Sequence, residues 1–211
     1  MARTLRYERG TDEFSRVVSF TDGVFAIAMT LLVVQIDIPR VDPDDLASAI
    51  GDQGALIISF FVSFLVIGYY WMAHHRFWAL LARVEPGLMM LNLVYLSAIA
   101  FLPYPTGLVG EYESRPLSVM IYAASLAAAS FMEVAMLSRA HRIGAFRKDP
   151  SPEAFRYALL ASMSPVVVFA ASIPIALYSS TLALLFWLAN FPVQWTLGRY
   201  FAPEDFDDAF G

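Results

Sequence analysis

Six stretches of this chain are nearly free of charge, and each approaches the ~20 residues that a helix needs to cross the hydrocarbon of a bilayer. They run from about Val17 to Ile36, Gly54 to Ala73, Gly87 to Val109, Pro116 to Leu137, Tyr157 to Leu177 and Thr181 to Leu197. Charges or helix breakers bound each one: Asp37 and Pro39, then His74-His75-Arg76, Glu85-Pro86, Arg115-Pro116 and finally Arg199. A chain of 211 residues that is 58% hydrophobic and only 16% charged cannot hide such an excess in one water-soluble core, since soluble domains average about 45–50% apolar and about 25% charged. Six crossings use roughly 120 residues and leave only short loops. The reading is an all-α membrane protein forming one domain over 1–211, with six transmembrane helices near 15–36, 54–78, 86–109, 116–138, 155–177 and 180–199.

Composition excludes several functions. There is no cysteine, so disulfide scaffolds, thiolate metal sites and cysteine nucleophiles are absent. A net charge of -5 and a pI near 5.1 oppose a nucleic-acid partner. Three histidines, His74, His75 and His141, supply a metal or haem site poorly. Adjacent residues on a helix point about 100° apart, so His74 and His75 do not chelate one ion well. The expectation is neither an enzyme nor a metalloprotein. The N-terminal segment carries Glu8, Asp12 and Glu13 among its arginines, unlike a cleaved signal peptide. The end of the chain is acidic (Glu204, Asp205, Asp207, Asp208) and is expected to be poorly ordered. The segment Ser19–Leu32 has no second copy.

Lys and Arg divide unevenly between the two sides. One side holds both termini with Arg3, Arg6, Arg9, Arg16, Arg76, Arg83, Arg139, Arg142, Arg147, Lys148, Arg156 and Arg199; the other has Arg40 and Arg115. Twelve against two places both termini in the cytoplasm. The outer loops are acidic, with Asp37, Asp42, Asp44, Asp45, Asp52, Glu111 and Glu113. Such a rim concentrates cations if it acts collectively, and is otherwise a solvated loop.

Polar residues inside hydrocarbon are costly and mark function or helix packing. The first helix carries Arg16, Ser19, Thr21 and Asp22 in its cytoplasmic third and only Thr30 beyond. His74 and His75 at the end of the second helix, Asn92 two turns into the third and Glu133 about a turn from the end of the fourth fall within roughly 10 Å in height. A shared network of Arg16, Thr21, Asp22, His75 and Asn92 would satisfy groups otherwise unpaired. Ile27, Leu31 and Val34 follow i, i+4, i+7 spacing along one face, with Thr30 beside them. Periodicity alone does not separate a functional stripe from lipid-facing or packing aliphatics, and Gly23, Ala26 and Ala28 favour close helix packing.

The run Arg16-Val-Val-Ser-Phe20-Thr21-Asp22-Gly-Val-Phe-Ala-Ile27-Ala-Met-Thr30-Leu31-Leu32 resembles the RxxxFSD signature of the TMEM175 family, with threonine in place of its serine. The likeness continues through His74-His75-Arg76-Phe77, Leu91-Asn92-Leu93, Phe101-Leu-Pro103-Tyr-Pro105-Thr106 and Gly110-Glu111-Tyr112. It covers about the first 110 residues, and the remainder by helix count.

The resemblance implies a potassium-permeable channel of the prokaryotic kind, one six-helix repeat per chain and four chains around an axis, with the first helix lining the pore. It implies no TVGYG carbonyl filter, and none occurs here. The implied constriction falls on Ile27, Leu31 and Val34, with Thr30 near the selectivity region. Arg16, Phe20, Thr21 and Asp22 are implied to bond the second-helix histidine, His74 or His75, and Asn92. The expected partners are other copies of the chain, potassium ions and the bilayer, with no cofactor beyond the permeant ion. The expected location is a prokaryotic cell membrane. The alternative is a proton-coupled transporter or proton pathway using Asp22, His75 and Glu133.

Overall fold

The structure is a computed structural model that describes residues 6–112, 115–206 and 210. Arg3, Glu113, Asp207 and Asp208 of the charge pattern above lie outside the described residues. Thr11 starts the first helix by accepting a hydrogen bond from the Phe14 N–H at 3.3 Å, with Asp12 and Glu13 in the positive first turn. Helix α1 (Asp12–Leu31) tightens into a 3₁₀ turn at Leu32–Gln35. A short outer helix α2 (Leu46–Asp52) precedes α3 (Gly54–Leu80). The next crossing is α4 (Pro86–Phe101) followed directly by α5 (Pro103–Glu111), because Pro103 has no N–H to continue the ladder. Then come α6 (Pro116–Arg142), α7 (Pro152–Tyr178), α8 (Ser180–Phe186) and α9 (Asn190–Phe201).

Five helical stretches are long and apolar enough to cross a membrane: Asp12–Gln35, Gly54–Leu80, Pro86–Glu111, Pro116–Arg142 and Pro152–Tyr178. The chain is thus a multi-pass, all-α membrane protein. The predicted sixth helix differs from the expectation. It is α8 and α9 joined by a 3₁₀ turn at Trp187–Ala189, next to Asn190, Pro192 and Gln194. Those polar and helix-breaking residues account for the interruption.

Proline chemistry in α7 explains how this last segment is held. Pro165 lies inside the helix and cannot donate to the carbonyl of Ala161. The Ser164 hydroxyl donates to that carbonyl at 3.0 Å, and the Gln194 amide from α9 donates to it at 2.9 Å. Gln194 also bonds Ser164 Oγ at 2.9 Å. Trp187 Nε1 donates to Ser172 Oγ at 2.9 Å, about two turns beyond Pro165. Gln194, one of the polar residues at the disrupted sixth helix, is therefore also an attachment to the fifth.

In the bundle α6 packs on α4, α5 and α7, α3 packs on α5, and α1 packs on α3 and α4. Only one face of α1 is used. Phe14, Thr21, Phe25, Ala28 and Leu32 are buried, a spacing of three and four residues that keeps one stripe inward.

The arginine-rich end of the bundle is knitted by backbone. Tyr7–Glu8 (β1) pairs antiparallel with Arg83–Val84 (β2), and the Arg9 N–H donates to Ala82 O at 2.8 Å. The loop after α6 joins them, with Ala82 N–H donating to Ala145 O at 2.8 Å and Arg147 N–H to Leu80 O at 2.9 Å. Arg9 also donates to Ala79 O at 2.6 Å and Arg83 to Ile143 O at 2.6 Å, covering carbonyls that end α3 and α6. Arg139 pairs with Glu85. Near the end of the chain, where Asp207 and Asp208 lie outside the described residues, Phe206 meets Tyr157 at 4.6 Å and Phe210 meets Phe146 at 5.8 Å between ring centroids. Tyr7 and Phe210 therefore lie at the same end of the bundle.

Close packing of α5 is tested by two glycines. A Cβ on Gly110 would fall 2.9 Å from the Leu56 Cα, which is backbone-fixed, whereas one on Gly107 would meet the tip of the Gln35 side chain. Gly110→Ala should cost ~1–3 kcal/mol by overpacking and Gly107→Ala distinctly less, read as thermal midpoints in detergent; equal losses would contradict this packing.

Candidate functional site on the first helix

The inward face of α1 ends on a buried polar cluster. Thr21 is buried and its hydroxyl donates to Val17 O at 2.9 Å, while Asn92 Nδ2 of α4 donates to Thr21 Oγ1 at 3.0 Å. Asn92 Oδ1 lies 2.9 Å from Nε2 of His74 on α3, and Trp78 Nε1, one turn on, lies 2.8 Å from the same nitrogen. One nitrogen cannot donate to the amide and accept from the indole together, since indole N–H is donor only. The imidazole tautomer and the side of the Asn92 amide facing it are therefore linked. The Tyr95 ring stacks on His74 at 4.4 Å and borders Phe25 of α1 at 6.0 Å.

The sequence leaves the histidine undecided, and the structure brings His74 to Asn92. His75 faces elsewhere, its ring 5.5 Å from Trp71. Asp22 accepts from Trp71 Nε1 at 2.9 Å, so it joins α3 through an indole and lies outside the Thr21–Asn92–His74 chain. Arg16 makes no hydrogen bond or ion pair among the described residues; it borders a groove with Val17, Phe20, Met89, Asn92 and Leu93. Phe20 is exposed. Glu133 is not where a helix ending near 138 would place it. With α6 running to Arg142, it sits nine residues inside that end, about 14 Å along the axis, and accepts from Tyr95 Oη at 3.0 Å.

Sequence reasoning missed Trp71, Trp78 and Tyr95. The signal for Trp78 was its i+4 spacing from His74, which puts an indole over an imidazole. It also missed the outer counterpart of the cluster, where Ser63 and Tyr122 bond at 2.6 Å and Thr106 donates to Ser63 at 2.8 Å, tying α3, α5 and α6.

The opposite face of α1 is uncovered. Ile27 is 60% exposed and Leu31 44% on it, while Val34, 68% exposed, lies beyond α1 in the 3₁₀ turn at Leu32–Gln35 and so departs from the expected α-helical spacing. Arg16, Ser19, Gly23, Ala26 and Thr30 are exposed on the same helix. Thr30 turns its hydroxyl back onto the Ile27 carbonyl at 2.9 Å. Among the described residues no group of three or more His, Cys, Asp or Glu could hold a metal ion.

Comparison with known proteins now bears on this arrangement. Residues 16–103 match the sequence model of the family described as "Endosomal/lysosomal potassium channel TMEM175". A protein named a potassium channel from Streptomyces collinus is 46% identical over 102 residues, 48% of this chain and 50% of that one. Another so named from Chamaesiphon minutus is 36% identical over 128 residues, 59% of this chain and 62% of that one. The bovine endosomal/lysosomal proton channel TMEM175 is 29% identical over 138 residues, 59% of this chain and 29% of its own length. The chain thus spans about half to three fifths of the bacterial relatives it matches. The crystal structure of a TMEM175 homolog from Chamaesiphon minutus superposes with a TM-score of 0.74 at 24% identity, covering 89% of this chain and 97% of that one. The resemblance read from the signature is thus matched over residues 16–103, and the fold is that of the Chamaesiphon minutus homolog.

The clamp predicts graded losses. Thr21→Ser keeps the hydroxyl and should cost at most ~1 kcal/mol for the lost methyl, whereas Asn92→Ala strands the His74 and Thr21 groups and should cost ~1–3 kcal/mol. Thermal unfolding in detergent reads both, and equal midpoints would contradict the clamp.

Proposed function

We propose that the chain is a potassium-permeable cation channel in which four copies surround an axis lined by α1, with Ile27, Leu31 and Val34 as the constriction and Thr30 beside it. The observation that carries this is the uncovered face of α1. Apolar side chains alone would suit lipid, but this helix also leaves Arg16, Ser19 and Thr30 exposed, and polar groups facing hydrocarbon are costly. A symmetric assembly covers such a face and leaves a passage on its axis. The names of the two bacterial relatives as potassium channels support the same reading.

On this reading the ion meets side chains and not a carbonyl ladder. The helix ladder occupies the α1 carbonyls, and the Ile27 carbonyl also accepts the Thr30 hydroxyl. A ring of Ile27 side chains makes a narrow apolar neck, which closes to ions by dewetting. Partial dehydration there costs the smaller sodium ion more than potassium, which gives the neck its preference. Thr21, Asn92 and His74 hold α1 from behind, while Asp22 is held by Trp71. The arginine-rich end faces the cytoplasm by the positive-inside rule, and the membrane is that of a prokaryotic cell. A single titrating set of Asp22, His75 and Glu133 is less well supported, because Asp22 and His75 sit at Trp71 whereas Glu133 sits at Tyr95.

Ile27→Asn tests the constriction. In reconstituted liposomes it should raise potassium flux about tenfold, equivalent to a barrier ~1.4 kcal/mol lower, or weaken the preference for potassium over sodium. Unchanged flux with unchanged preference removes Ile27 from the neck.

A further inference from the structure

Apart from Asp22, Glu133 is the one carboxylate well inside the five apolar crossings; the others in them lie within two residues of an end. Asp22 borders the uncovered face of α1, but Glu133 lies between helices of one subunit, on α6. Its single hydrogen-bond partner among the described residues is the hydroxyl of Tyr95 on α4. No cation stands within ion-pair distance: the only salt bridge among the described residues joins Arg139 to Glu85.

The groups facing Glu133 are phenols. Tyr95 on α4 donates to its carboxyl, and Tyr70 on α3 packs on the preceding turn of α6. Tyr70 is itself bound to Ser130, one turn before Glu133, at 2.6 Å. Arg76, further along α3, forms no ion pair with Glu133. From α7, which packs along α6, residues 158–177 contribute no titratable side chain. A carboxylate with one hydroxyl donor and no counter-charge in a low-dielectric interior is stabilised by taking a proton. Nothing in the proposed ion path uses this group.

We propose that Glu133 is a proton-binding site inside each subunit, separate from the axis, and that its occupancy bears on α1 through Tyr95. Tyr95 is fully buried and touches three things at once: the Glu133 carboxyl, the His74 ring and Phe25 of α1. Phe25 stands two residues before Ile27. A change in the hydrogen bond between Glu133 and Tyr95 is thereby delivered to the helix that carries the constriction. The site itself is independent of the channel reading, and only the coupling rests on it.

The test uses the full chain in lipid vesicles with dicyclohexylcarbodiimide, an apolar reagent for protonated carboxyls. The carboxylic O–H adds across one C=N bond, the proton going to nitrogen, and the O-acylisourea rearranges to a stable N-acylurea with no group leaving. Peptide mapping by mass spectrometry should find the adduct on Glu133, with labelling falling about tenfold per pH unit on the alkaline limb, as a one-proton titration requires. No adduct on Glu133, or labelling indifferent to pH, overturns the site. In the same vesicles the pH response of potassium flux should flatten at least severalfold in Glu133→Gln. It should flatten likewise in Tyr95→Phe, which keeps the carboxyl and its labelling. Retention of the full pH response by Tyr95→Phe overturns the coupling. Absence of potassium flux from the unsubstituted chain overturns the channel reading and the coupling with it, while the proton site still stands or falls on the adduct.

Discussion

The hydrogen bond from Asn92 to Thr21 is the contact on which the rest of this fold turns, because it fixes which way α1 faces. A helix in hydrocarbon has no hydrophobic force choosing its orientation, since lipid tails are as apolar as leucine. Orientation must come from packing shape and from polar groups that need partners. Asn92 bridges the Thr21 hydroxyl on one side and the His74 imidazole on the other, and all three are buried. Rotating α1 by one residue, about 100°, would break that bridge and carry Phe25 and Ala28 out of the stripe that contacts α3 and α4. The outward position of Ile27, Leu31 and Val34 follows from the inward position of Thr21.

Similar logic, polar groups answering to one another, holds the other helices. Thr106, Ser63 and Tyr122 form an outer knot between α3, α5 and α6. Tyr70 ties α3 to Ser130 and to the Leu126 carbonyl of α6. In α7 the backbone carbonyl exposed by Pro165 is met by Gln194, so a helix break in one crossing becomes an attachment point for the next. At the arginine-rich end, Arg9 and Arg83 cover carbonyls at the ends of α3 and α6. The charge excess that sets orientation in the membrane also finishes the helices.

The first half of the chain was legible in sequence because its signals are dense. Charge-poor windows with prolines or acidic residues at their edges located the long helices, and depth alone brought Thr21 and Asn92 together, with His75 rather than His74 as their histidine. The choice between His74 and His75 was not legible. Adjacent residues share a depth, and only the rotation of α3 about its axis, set by its contacts with α4 and α6, decides which of them turns inward. Depth grouped Asp22 with Thr21 for the same reason, yet one residue further along the helix its carboxyl is directed to Trp71. The break in the last helix was hidden too. Asn190, Pro192 and Gln194 read as polar scatter until Ala161 on another helix shows what Gln194 satisfies. The aromatic cluster formed by Phe206 and Phe210 was masked by their acidic neighbours, whose charge suggests disorder by composition although the phenylalanines have Tyr157 and Phe146 to pack against.

On the proposed channel reading, the clamp also limits how a passage along α1 opens. Thr21 and Ile27 are six residues apart, about 9 Å along one rigid helix, so α1 cannot turn Ile27 aside by spinning alone without breaking the bond to Asn92. That bond is buried, the same amide also meets His74, and an unpaired amide in this place costs ~1–3 kcal/mol. Motions that keep it must carry α1 together with α3 and α4, as a tilt of the three-helix unit. The 3₁₀ turn at Leu32–Gln35 and the Pro103 break between α4 and α5 lie beyond the clamp on the same side, and there the helices have the weaker hydrogen bonding that a bend needs. The pinned end of α1 is therefore the fulcrum, and the aliphatic stripe is the part with room to move.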